Sequence, residues 1–153
     1  MTTQPPTRPA YPLPDGRAIS TAAHEALEVA RKANERLGRA MAVTVAAAVR
    51  DILTDCDHEA PFDAAGLELV EDDGATLHAT GRYWTADGEA RDFATTPGVD
   101  DGQFGVFEMN EWVNYLGDSN WEVWRPLCTS EPDREGRSVW RLDLAKAAAL
   151  PLD

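Results

Sequence analysis

Cysteine is almost missing from this chain of 153 residues, with only Cys56 and Cys128 present. Two cysteines exclude a disulfide framework, and both are expected to be buried free thiols in a reducing compartment. Lysine and isoleucine occur twice each, against 12 arginines and 24 alanines, a usage that GC-rich coding produces and that points to a bacterial or phage source. Positive charge is short overall, since 14 Lys and Arg face 27 Asp and Glu for a formal charge of −13. Such a balance argues against binding nucleic acid through its phosphates, which needs a basic footprint. No apolar run approaches the length of about 18 residues that a membrane span requires. The opening MTTQPPTRPAYPLPDG has no apolar stretch of a secretory signal, so a cytoplasmic location is expected.

Chemistry-bearing motifs are also scarce. Cys56, His58, His78 and Cys128 never fall into Cys-x2-Cys or His-x3-His spacing, so no metal site is expected. Asp72-Asp73 and Asp100-Asp101 sit beside glycine and read as turns rather than as calcium loops. Neither phosphate-binding glycine motif occurs, nor does G-x-S-x-G. No cofactor and no catalytic residue follow from the sequence, and the reading leans away from an enzyme.

What is present is a helix, a set of strands and a surplus of rings. Five of the ten prolines lie in residues 1–18, which read as a disordered arm, leaving residues 19–153 as a single domain. Residues 20–55 lack proline and are rich in Ala, Leu, Glu and Arg, the pattern of one long helix or of two bent near Gly38. Its first half carries Glu28/Lys32 and Glu35/Arg39 at i,i+4 and should be wet. Its second half, MAVTVAAAV over 41–49, has no charge and should be covered nearly all round, by other elements or by a second chain. Residues 67–71, 75–86 and 89–96 alternate as strands, 104–116 repeats at helical spacing, 121–127 and 138–142 read as strands joined by the polar loop TSEPDREG, and 143–149 closes with a short helix. The fold class is α+β, a long N-terminal helix packed on a mostly antiparallel sheet in the order α-β-β-β-α-β-β-α.

Turn chemistry sets the expected register. A three-residue loop Asp72-Asp73-Gly74 puts Leu67, Leu69, Leu77 and Ala79 on the core face, against Met41, Val45, Ala48, Val49 and Ile52 of the helix. It leaves Glu68 outside, opposite His78. A two-residue Asp87-Gly88 loop pairs Trp84 with Arg91 and Arg82 with Phe93, all four on the outer face. Trp121, Trp124 and Trp140 are assigned to the core. On the second helix Val106, Met109, Val113 and Leu116 form the core stripe, which leaves Trp112 and Tyr115 with Glu108 on a neighbouring one.

Arginines over exposed rings can be simple cation–π shields. Trp, Tyr and Arg are also the residues enriched at binding hot spots, so Arg82, Trp84, Arg91, Phe93, Trp112 and Tyr115 are the expected partner-binding set. In a small acidic chain this element order resembles the layout of class I type III secretion chaperones, dimeric binders of extended segments. The resemblance covers residues 19–149 and rests on no motif. The function expected is a non-catalytic module that binds another protein, chaperone-, immunity- or inhibitor-like, compatible with a homodimer. The alternative is a small-molecule or enzymatic pocket on a cystatin-like or nuclear-transport-factor-like sheet. Tyr83 and Asp92 would be its polar groups, joined by His78 if the register differs. A DNA mimic would use the −13 charge but needs a regular carboxylate array.

Overall fold

Alternating apolar residues along β1 (Gly66–Glu71) and β2 (Leu77–Trp84) place Leu67, Leu69, Leu77 and Ala79 on one buried face. These strands form the middle of a five-stranded antiparallel sheet, completed by β3 (Ala90–Asp92), β4 (Cys128–Arg134) and β5 (Arg137–Asp143) in the order β3-β2-β1-β5-β4. The computed structural model describes residues 3–153. Helices α1 (Gly16–Thr54), α2 (Gly102–Val113), α3 (Trp121–Trp124) and α4 (Leu144–Ala148) complete the α+β order. No helix among the described residues is long and apolar enough to cross a membrane.

The chain divides into two compact units, the first ending at Lys32 and the second running Ala33–Asp153, with α1 beginning in one and ending in the other. In the first unit, residues 3–15 carry no helix or strand and every described residue is exposed; residues 1 and 2 of the expected arm lie outside the described ones. Helix begins at Gly16, four residues ahead of the expected Ser20, where the Asp15 carboxylate accepts from the Ala18 N–H at 3.4 Å.

In the second unit Gly38, Ala42, Val45 and Val49 form the buried stripe of α1 and meet the sheet core, with Met41, Ala48 and Ile52 packed at its margin. Helix runs unbroken through Gly38. That glycine admits Asn120, because a Cβ there would lie 3.0 Å from the Asn120 Cβ. The remainder of 41–49 is half-buried and none of it is exposed.

Both hairpins differ from the expected turns, with opposite consequences. The first loop is Asp73-Gly74-Ala75, closed by the Asp72 N–H donating to the Thr76 carbonyl at 2.8 Å, with Ala75 in the left-handed region at φ 60. Glu71 therefore pairs with Leu77 and Leu69 with Ala79. The shift is even, so every side chain keeps its face. The second loop has three residues, not two: the Thr85 N–H donates to the Glu89 carbonyl at 2.9 Å and Gly88 takes φ 85. Trp84 then pairs with Ala90 and Tyr83 with Arg91, an odd shift that turns β3 over. Phe93, expected outside, is fully buried opposite Gly81 and stacks on Tyr83 with ring centroids 4.4 Å apart.

Residues 121–127 are helical turns rather than a strand, fastened by the Trp124 indole N–H donating to the Gly117 carbonyl at 2.8 Å. Trp124 enters the core and Trp140 packs edge-on against it, whereas Trp121 is exposed. The TSEPDREG segment is mostly strand β4, whose outer edge pairs with no other strand among the described residues and so tolerates Pro132 and charge. Its turn is the pair Glu135-Gly136, at φ 55 and 76. Cys128 is largely buried, and burial pushes its thiol up to about 12. Cys56, expected buried, is exposed just past α1.

Candidate functional site

The outer face of the sheet carries two of the expected contact residues, Arg82 and Trp84. Trp84 is only 6% exposed, because the Arg141 guanidinium lies 3.9 Å above its ring and Arg82 sits 5.8 Å away. The expected shielding pairs, Arg91 with Trp84 and Arg82 with Phe93, are thus replaced by two arginines on one ring. Beside it Glu68, expected to be exposed opposite His78, is buried. Arg134 donates to both its carboxylate oxygens at 2.8 and 3.1 Å, and the Thr80 hydroxyl donates at 2.9 Å. Burial alone would raise the Glu68 pKa. The hydrogen bonds from Arg134 and Thr80, with the charges of Arg134 and Arg82, outweigh that and hold it below the ordinary carboxylate value. Val70 and Val139 are buried on this same face.

The pocket set does not converge. His78 pairs with Val70 in the sheet and its Nδ1 lies 2.8 Å from Asp72, whose carboxylate also meets Arg137 at 3.2 Å. The Tyr83 ring is buried and its hydroxyl bonds to Thr96 at 2.9 Å. Asp92 accepts from the Ala94 N–H at 2.8 Å, which closes its own turn. An open cavity of about 640 Å³ does lie beside Asp92, with Arg82, Glu89 and Arg91 in its wall. Arg91 is engaged there by Glu89 at 3.3 Å. Among the described residues no group of three or more His, Cys, Asp or Glu could hold a metal ion.

Helix α2 presents a different surface. It is fixed at both ends and in the middle. The Asp101 side chain caps the Phe104 N–H at 3.2 Å, and Gly102 packs so tightly on β3's end that a Cβ would lie 2.1 Å from the Phe93 carbonyl oxygen. Where β3 stops, Asn110 takes over as the neighbour of β2. Its side-chain oxygen accepts from the Ala79 N–H at 2.7 Å, and its amide donates to the Ala79 carbonyl at 3.1 Å. Further along, the Leu77 N–H donates to the Leu116 carbonyl at 3.0 Å. Met109, Val113 and Leu116 face the core.

The outward side is therefore determined, and it is aromatic. Phe104 is 55% exposed, Phe107 72%, Trp112 38% and Tyr115 53%. By helical spacing Phe104, Phe107, Glu108, Glu111 and Tyr115 recur on one side, with Trp112 at its flank. No lysine or arginine occurs in α2, and Asp100, Asp101 and Asp118 bracket it.

Of the six expected partner-binding residues, Trp112 and Tyr115 share this surface, Arg82 and Arg91 lie at the cavity by Asp92, and Trp84 and Phe93 are covered. Phe104 and Phe107 were not among them. The 3.6-residue repeat that sets Trp112 and Tyr115 apart from the core stripe also marks these two. The chain matches no protein-family model, no curated protein and no solved structure.

Proposed function

We propose that this chain is a small acidic, non-catalytic protein-binding module that docks the outward side of α2 into an apolar groove rimmed by Lys and Arg on a partner protein. The observation that carries this reading is a set of four exposed rings, three on a helix held to the sheet through Asn110 and the fourth, Tyr115, on the turn that follows it. Aromatic side chains supply large contact area with few rotatable bonds, and Trp and Tyr lead the residue types found at hot spots. A ridge already fixed in place loses little further freedom on binding, which favours affinity. The mode is that of an apolar helix face seated in a groove.

Charge selects the partner. The only charged side chains of α2 are Glu108 and Glu111, so a second copy docked face to face would set carboxylate against carboxylate. A basic rim instead meets them favourably and speeds association through the field of a −13 chain.

The test uses immobilised parent chain and a Phe107→Ala/Tyr115→Ala variant, each exposed to a lysate of the source cell. A protein held by the parent and released by the variant is purified and titrated against both. Binding by the double variant is expected to be weaker by roughly 2–4 kcal/mol, with association slowed by added salt. A partner that binds both chains equally, or whose association ignores salt, overturns the reading.

A further inference from the structure

The α2 surface is not uniform along its length. Phe104 and Phe107 stack on each other, with ring centroids 6.5 Å apart and planes 22° from parallel, and form one closed apolar knob. Trp112 and Tyr115 are not stacked in this way; together with Glu111 and Asn114 they line an open cavity of about 460 Å³. The other tryptophans show what this chain sets against an indole. Trp124 is buried in the core, Trp84 lies under Arg141 at 3.9 Å, and Trp121 and Trp140 share Arg125 at 5.5 and 5.3 Å. Trp112 is outside the core and exposed, and among the described residues no arginine or lysine lies over its ring. Electrostatics point the same way. Glu111 is exposed and makes no ion pair among the described residues. It stands in the last turn of α2, where the helix dipole disfavours negative charge and no lysine or arginine offsets it.

We infer that this cavity receives an arginine side chain of the partner, its guanidinium flat against the Trp112 indole and donating to the Glu111 carboxylate, with Tyr115 as the other wall. The inference rests on the docking of α2 proposed above and names the group that the partner's basic rim supplies at this end of the helix. A cation is required because an apolar side chain seated here would desolvate the Glu111 carboxylate without pairing it. Arginine fits better than lysine. Its guanidinium is planar and weakly hydrated, so it can stack on a ring while two of its N–H groups meet one carboxylate. The exposed Asn114 side chain offers a further acceptor oxygen in the cavity wall.

The test needs no recovered partner. The full chain, labelled with the heavy nitrogen isotope, is titrated with the peptide acetyl-Leu-Arg-Leu-amide and with the same peptide carrying citrulline or lysine in place of arginine. Concentrations run into the tens of millimolar, the range that a single side chain requires. Indole N–H signals of the five tryptophans report separately, and Trp112→Phe assigns that of Trp112. The arginine peptide is expected to move the Trp112 signal and to leave the other four in place. Citrulline, which keeps the shape and lacks the charge, should bind about tenfold more weakly, and lysine several-fold more weakly. Glu111→Gln should weaken arginine binding about tenfold, whereas Glu108→Gln, which removes the same charge outside the cavity, should change it by less than about twofold. A Trp112 signal that does not move, citrulline or lysine binding as tightly as arginine, or equal effects of the two glutamate variants overturns the arginine site. The docking of α2 fails on a different result, a partner that the Phe107→Ala/Tyr115→Ala variant holds as tightly as the parent.

Discussion

Two surfaces of the Ala33–Asp153 unit carry large rings that the central core does not use, and they treat them in opposite ways. On the outer sheet face Trp84 lies beneath Arg141 and beside Arg82, while Glu68 is covered by Arg134. On α2 and the turn after it, no Lys or Arg among the described residues lies over the rings of Phe104, Phe107 or Tyr115, which stay exposed. The difference shows what arginine does on this sheet. Its guanidinium meets a ring or carboxylate, as Arg141 meets Trp84 and Arg134 meets Glu68. Exposed rings occur elsewhere in this unit, Phe62 alone and Trp121 with Arg125 5.5 Å from its ring, but only around α2 do several gather on one side.

The largest effect separating the two surfaces should come from Trp84→Ala. The ring is buried among its own chain, so its loss should destabilise the fold by about 3–5 kcal/mol, as for other buried aromatics. Chemical denaturation measures this. A denaturation midpoint within error of the parent would mean that Trp84 is an exposed ring after all, and the contrast with α2 would fail.

Arg134→Ala should come next, because it leaves the buried Glu68 carboxylate with the Thr80 hydrogen bond and the charge of Arg82, while the half-exposed arginine limits the effect. The pair also sets a pH dependence. The folded-state pKa of Glu68 lies below its ordinary 4.5, so its contribution is complete above that value and is lost as the pH falls through the depressed one. Stability of Glu68→Gln, followed from pH 7 downward, should therefore fall less steeply on the acid side than that of the parent. Parallel acid limbs would show that the carboxylate is not held by charge.

The core of this arrangement is legible in the chain, and its outer face is not. Leu67, Leu69, Leu77 and Ala79 find their common face even though the first loop closes one residue later than the Asp-Asp-Gly turn suggests, because that slip is even. The Asp87-Gly88 dipeptide misleads by an odd step, and Phe93 goes to the wrong side. Edge strand β4 escapes notice because only strands with a buried face must alternate, and its residues are mostly exposed. The cover on Trp84 comes from Arg141, 57 positions later in the chain, and depends on β5 lying next to β1. No local pattern carries that information. The α2 surface is local, and periodicity alone marks Phe104 and Phe107.

A smaller effect follows from uncovering Trp84 without removing it. Arg141→Ala should destabilise by about 1 kcal/mol, the scale of a partly exposed cation–π contact together with its stem. Phe104 and Phe107 are already bare, so no single truncation on α2 has an equivalent cover to remove. Differential exposure of Trp84 is read by acrylamide quenching in a background where the other four tryptophans are phenylalanine; unchanged quenching would assign its cover to something other than Arg141.

The smallest effect on stability, and the sharpest use of the contrast, is to give α2 what the sheet already has. Glu111 lies four residues after Phe107 and four before Tyr115, so Glu111→Arg places a guanidinium within reach of both rings. The position is exposed, and stability should stay within about 0.5 kcal/mol of the parent. Two other readouts should move. Cation–π cover should lower the exposure of those rings, seen as slower acrylamide quenching of a tryptophan put in place of Phe107 in a background where the five native tryptophans are phenylalanine. Association with a basic-rimmed partner should slow, because the substitution removes an attracting charge and adds a repelling one. A variant that associates as fast as the parent would mean that charge does not select the partner, and a variant that binds faster would mean that the groove is acidic.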